Sequence, residues 1–132
     1  MTHPNDPKST ALAYLDALGR KDFEAFDGLL APDVTFQGPN ADLSGKAAVS
    51  AAYRKLGGMI VRSELKKAFV DGSEVCVIYD FVTNTAAGAV RTSEWLVIED
   101  GLVRSIRLLT DHVRWPKALA EYMARKQPQA SA

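Results

Sequence analysis

The sequence predicts an α+β domain in which amphipathic helices come first and a long antiparallel sheet follows. Three observations carry this reading. The 132 residues, 47% of them apolar, suffice for one buried core and are too few for two ordinary domains. Apolar residues recur with a helical period up to about Leu56, then alternate as in a pleated strand from Met59 to about Asp111. Asp71-Gly72-Ser73 and Glu99-Asp100-Gly101 divide that second half with hairpin-turn chemistry.

Ser9 or Thr10 is the expected cap of a first helix, in which Ala11, Tyr14, Leu15 and Leu18 form one stripe and Gly19 marks the end. Asp22 caps a shorter second helix with Phe23, Phe26 and Leu30 on one face, stopped by Pro32. Val34 and Phe36 alternate with Thr35 and Gln37 as a short strand, closed by the turn Gly38-Pro39-Asn40. Ser44 is the expected cap of a third helix carrying Val49, Ala52, Tyr53 and Leu56, terminated by Gly57-Gly58. Antiparallel strands in series then run to Asp111, with Thr85-Ala86-Ala87-Gly88 as a longer connection. Pro116 opens a short C-terminal helix with Leu119, Tyr122 and Met123 on one face. The expected division is a disordered tail over 1–8, a single domain over 9–126 and a disordered tail over 127–132.

Charge and composition exclude several function classes. With 16 basic and 16 acidic side chains, the chain lacks the excess of Lys and Arg that neutralises phosphates, so no nucleic-acid partner is expected. No stretch reaches the roughly 20 apolar residues of a membrane span, and the polar opening Met1 to Lys8 lacks a signal segment; a soluble, cytoplasmic protein without a membrane partner is expected. A lone Cys76 and only His3 and His112 provide neither a disulfide nor metal-ligand spacing, so no metal and no cofactor are expected. Ser44-Gly45-Lys46-Ala47 fails as a phosphate loop, because Asn40 stands at the first Gly position and Ala47 where Ser or Thr is needed. Cys76 has no paired His, and the chain holds no Gly-x-Ser-x-Gly elbow. Glu64, Lys66 and Lys67 read as a solvated edge strand, and His112 as a structural residue.

The faces of the strands carry more information. Alternation places Val75, Val77, Tyr79 and Phe81 on one side, with Cys76, Ile78, Asp80 and Val82 on the other. The next strand separates Thr92, Glu94, Leu96 and Ile98 from Ser93, Trp95 and Val97. The last separates Ile106, Leu108 and Thr110 from Val103, Ser105, Arg107 and Leu109. A sheet covered by helices on one side only should be polar on the other, and this one is apolar on both. The simplest account is a homodimer through the second face, with Trp95, Ile78, Val97 and Leu109 in the interface.

The order helix, helix, strand, helix, antiparallel run resembles the SnoaL-like and ketosteroid-isomerase-like branch of the nuclear transport factor 2 superfamily. Its carriers are Tyr14-Leu15-Asp16-Ala17-Leu18, Leu30-Ala31-Pro32-Asp33-Val34-Thr35-Phe36, Gly45-Lys46-Ala47-Ala48-Val49, and the segment from Glu94-Trp95-Leu96-Val97 to Asp111. The resemblance implies a cone, with a curved sheet wrapping three N-terminal helices around an apolar cavity. In ketosteroid isomerases a catalytic Asp precedes the Pro after the first strand; here that position is Gly38. The two oxyanion donors of those enzymes match Tyr14 and Glu94. The Arg and two Asp residues of limonene-epoxide hydrolases align with Tyr79, Phe81 and Leu108, so epoxide hydrolysis by that mechanism is not expected.

The candidate catalytic residues are therefore Glu94, Tyr14 and, at the end of the last strand, Asp111. A carboxyl in an apolar cavity is desolvated and its pKa rises, so it can donate to an oxyanion or move a proton. The alternative for Glu94 is an ion pair with Arg91 or another charge at the sheet edge, and for Asp111 the capping of the turn toward Trp115-Pro116. The candidate ligand-binding residues are Phe36, Tyr79 and Phe81, then Leu96, Ile98 and Ile106, then Leu108 and Thr110. The expected ligand is a small apolar molecule, and the expected chemistry is isomerisation or cyclisation by proton transfer beside a carbonyl. The alternatives are a non-catalytic binding module and a protein-interaction domain that uses the sheet face.

Overall fold

Residues 6–126 are described by the computed structural model, so residues 1–5 and 127–132 of the two expected tails lie outside the described residues. The first helix, α1 (Pro7–Arg20), starts earlier than the sequence suggests: Asp6 caps it, accepting a hydrogen bond from the Ser9 backbone N–H, with Pro7 at the first helical position. Neither Ser9 nor Thr10 is the cap, and Pro7 and Lys8 belong to the helix rather than to a tail. Gly19 does not end α1 either. The left-handed residue there is Lys21, with φ 59°, while a Cβ on Gly19 would stand 2.4 Å from Ser63 Oγ. Gly19 therefore permits the close approach of α1 to the sheet.

After α2 (Phe23–Gly28), capped by Asp22, the chain enters β1 (Leu30–Gln37) directly. Leu30 and Pro32 thus belong to a strand and not to a helix and its stop. The turn at Gly38, closed by its N–H donating to the Ala41 carbonyl, returns as a short strand β2 (Asp42–Ser44) that the sequence pattern is too brief to reveal. Ser44 does not cap α3 (Lys46–Lys55); its N-cap is Gly45, at φ 93°, with no side-chain cap.

A 3-10 turn over Gly57–Met59 leads into β3 (Ile60–Asp71), β4 (Glu74–Thr83), β5 (Ala89–Glu99) and β6 (Leu102–Thr110), each antiparallel to the next. Asp100 and Gly101, both at positive φ, make the last hairpin. The sheet order is β2-β1-β6-β5-β4-β3, and β1 lies parallel to β6. The antiparallel run is thus extended into a curved, open, mixed sheet of six strands.

Alternation sorts the faces as predicted along β4 and β5, where every second residue is buried. It fails along β6. A bulge skips Arg104, so that Val103 turns inward with Ile106 instead of outward with Ser105 and Arg107. Two register shifts in β3 bend it around α1, where Ser63 Oγ donates to the Leu15 carbonyl at 3.0 Å. Tyr14, Leu18, Phe26, Leu30, Val49, Met59, Leu96, Ile98 and Ile106 form the core between helices and sheet. The final helix, α4 (Arg114–Lys126), is tied across the open end: Trp115 Nε1 donates to Asn40 Oδ1 at 2.8 Å and Tyr122 Oη to the Lys55 carbonyl at 2.6 Å. Among the described residues no helix is long and apolar enough to cross a membrane.

Candidate active site

Glu94 stands in the middle of β5 on the inward face and is completely buried. In the β4–β5 register it lies opposite Val77, while Tyr79 lies opposite Thr92, which makes Tyr79 and Glu94 diagonal neighbours. Tyr79 Oη donates to Glu94 Oε2 at 2.5 Å and Tyr14 Oη, from α1, to Oε1 at 2.7 Å. A third phenol comes from α3: Tyr53 Oη is 3.3 Å from Oε1 and 3.0 Å from Tyr14 Oη. Each hydroxyl carries one proton, so Tyr53 has the loosest hold on the carboxyl. The Phe26 ring fixes two of these phenols, its centroid 5.0 Å from that of Tyr14 and 4.9 Å from that of Tyr53.

The electrostatics follow from burial. Desolvation raises the Glu94 pKa, outweighing the hydrogen bonds from Tyr79, Tyr14 and Tyr53 that act in the opposite direction. Desolvation, reinforced by the neighbouring Glu94, also pushes the three phenols well above their ordinary value, which keeps them protonated as donors. Glu94 is not paired with Arg91, whose guanidinium holds Asp80 on the opposite face and lowers its pKa.

A cavity of about 750 Å³ opens beside this cluster, within the usual range of small-molecule sites. Tyr53, Tyr79, Phe81 and Thr92 line its inner part, with Phe36, Leu43, Leu56 and Leu108 along the sides. Asn40 and Trp115, Leu119 and Met123 of α4 complete the wall. Of the sequence candidates, Phe36, Tyr79, Phe81, Leu108 and Thr110 line the cavity. Leu96, Ile98 and Ile106 do not; they are core residues at the closed end, because alternation assigns a face but not a depth along the strand. Glu94 and Tyr14 are brought together, yet neither lines the cavity. They sit behind Tyr53 and Tyr79. Asp111 is not in the site at all. Its Oδ1 accepts from the backbone N–H groups of Arg114 and Val113, which hold its pKa low, and it caps the turn into α4.

The sequence pattern placed Tyr53 on the third helix's buried stripe without marking it as a site residue. The available signal was that Tyr14, Tyr53 and Tyr79 all fall on inward stripes around one inward carboxyl. At Gly38 a side chain would collide with Phe36, since a Cβ there would stand 2.6 Å from Phe36 Cε1. Among the described residues no group of three His, Cys, Asp or Glu side chains could hold a metal ion.

A family model described as a SnoaL-like domain matches residues 11–106. A protein from Kribbella flavida is similar at 25% identity and TM-score 0.75, over 88% of this chain and 95% of its own. An NTF2-like protein from Cytophaga hutchinsonii is 24% identical at TM-score 0.72, over 91% and 99% of the two chains. A steroid delta-isomerase from Pseudomonas aeruginosa shares the fold at 18% identity and TM-score 0.73, over 91% and 90%. No curated protein is significantly similar to the chain. The matched span, which covers most of the chain and agrees with the order of elements and the curved sheet, makes this chain a member of the SnoaL-like domain family.

Proposed function

We propose that the protein takes a small apolar carbonyl compound into the cavity and polarises it in an isomerase- or cyclase-type proton transfer. The observation that carries this reading is an apolar cavity of about 750 Å³ with Tyr53 and Tyr79 in its wall and a buried carboxyl behind them. Tyr53 is the group that meets the ligand, because it lines the cavity and holds Glu94 least tightly. When Glu94 is neutral, its own proton is donated to the Tyr53 oxygen, and the Tyr53 proton turns to the ligand oxygen. Negative charge developing on that oxygen is stabilised by this hydrogen bond, while the proton on the neighbouring carbon passes to solvent hydroxide admitted through the cavity opening, which becomes water. The resulting chain runs from Glu94 through Tyr53 to the ligand, with Tyr14 and Tyr79 as positioning residues.

A second reading, a binding module without catalysis, has its own support: no carboxylate or imidazole stands among the described lining residues to take a proton from carbon. One experiment separates the two. Deuterium exchange beside the carbonyl of 2-decalone is followed by NMR in D2O with and without the protein. Catalysis predicts accelerated exchange that Tyr53→Phe and Glu94→Gln each reduce. Saturable binding of 2-decalone without acceleration selects the binding module, and no binding removes both readings.

The reading includes a homodimer through the outer sheet face. Trp95 and Leu109 are 45% and 75% exposed there, and Phe69, paired with the outward Cys76, is also open, a large apolar area for a lone subunit. Ile78 and Val97 lie half-buried in the same face. Trp95 is already fixed, its Nε1 donating to Glu74 Oε1 at 2.7 Å and the Arg107 guanidinium 4.3 Å above its ring, as suits an anchor.

A further inference from the structure

We propose that the ligand is an anionic amphiphile, its apolar body in the cavity and a carboxylate at the opening held by Lys55 and Lys126. This rests on the proposed cavity function and specifies the chemical class of its ligand. The charges on the cavity wall are all of one sign. Lys55 and Lys126 are its only charged lining residues among those described, and both are exposed, whereas Tyr53 and Tyr79 are buried. The wall is therefore apolar along its depth and cationic at its rim. The whole chain has zero formal net charge, so this rim is a local feature and not the edge of a generally basic surface.

Lys126 is also held where such a ligand needs it. Lys126 Nζ lies 3.4 Å from the Lys55 carbonyl oxygen and 5.0 Å from the Tyr122 ring centroid. This brings an ammonium group from the end of α4 to the backbone at the end of α3, beside the opening. Tyr122 Oη donates to the same carbonyl, which ties the two helices together at this point. Among the described residues neither lysine is within ion-pair distance of a carboxylate, whereas Arg54, Lys66 and Arg125 nearby in sequence each have one. Lysine stems are able to extend an apolar wall outward while their charged heads remain in water. A neutral apolar compound leaves both heads unused, and a cationic one meets repulsion.

The test measures decanoate, 1-decanol and decyltrimethylammonium binding to the full chain by titration calorimetry, for the wild type and for Lys55→Met combined with Lys126→Met. Methionine keeps the apolar stem, so the double variant removes charge alone. The expected result is that the preference for decanoate over 1-decanol falls about fivefold or more in the double variant, in line with two partly exposed pairs. It should also shrink in the wild type at about 1 M salt, where the screening length is about 3 Å. Decyltrimethylammonium should bind better to the variant than to the wild type. Ala52→Trp, which places an indole in the cavity wall, should weaken all three probes. An unchanged preference in the double variant overturns this inference and leaves the cavity reading standing. Binding that Ala52→Trp does not affect, or no binding of any probe, overturns both.

Discussion

Glu94 is the residue on which the chemistry depends, and its state is set by burial against three phenols. A carboxyl whose folded pKa lies above its unfolded value of about 4.3 holds its proton more tightly in the folded protein. Stability then declines as pH rises from the unfolded value through the raised folded value, and levels off beyond it. Glu94→Gln removes this decline, so urea unfolding followed over that range should show a falling wild type and a flat variant; parallel curves would contradict the burial account. Tyr53→Phe deletes the proposed donor to the ligand. It should weaken 2-decalone binding by about 0.5–1.5 kcal/mol, read by calorimetry, and equal affinity would place the ligand elsewhere. Tyr14 and Glu94 were each placed on an inward stripe by periodicity, and only the family resemblance suggested them as a pair. That Tyr53 and Tyr79 stand between them and the cavity was not legible, because a stripe gives direction without depth.

At the scale of elements, two neighbouring positions at the end of α1 have opposite roles. Lys21 pays the steric cost of left-handed backbone at φ 59°, so Lys21→Gly should stabilise the fold by about 1 kcal/mol. Gly19, read in sequence as the helix end, instead lets α1 approach β3: a Cβ there meets the Ser63 backbone N at 2.8 Å. Gly19→Ala should therefore cost about 1–3 kcal/mol. Thermal unfolding of both variants checks the pair, and a stabilising Gly19→Ala would show that α1 and β3 leave room for a Cβ, contradicting the close approach. The helices and long strands were legible because their stripes repeat over several turns or pleats. The cap at Asp6, the three-residue strand β2 and the bulge at Arg104 were not. Each rests on one to three residues, too few to make a periodic pattern, whereas the β1–β6 pairing escapes because its partners are remote in sequence.

For the whole molecule, the apolar outer face predicted from alternation is present, with Trp95 and Leu109 open on it. If a second copy covers this face, Trp95→Lys should elute as a monomer on sizing at micromolar concentration while keeping its circular dichroism. A variant that still elutes as a dimer would exclude this face as the interface. The fold was legible from the order of elements, since the change from helical to pleated period fixes which half is sheet. The parallel β1–β6 pairing that extends the sheet was not, because no local pattern marks a crossover.

The central claim is that the Glu94 carboxyl is held in its neutral form more readily than a carboxyl in water. Carbon-13 NMR titration of the side-chain carboxyl, assigned by the signal that disappears in Glu94→Gln, tests this directly. The account predicts a midpoint above the ordinary glutamate value of about 4.3. A midpoint at or below that value would show that the three phenols stabilise the charge more than burial penalises it, and would contradict the proposed proton relay.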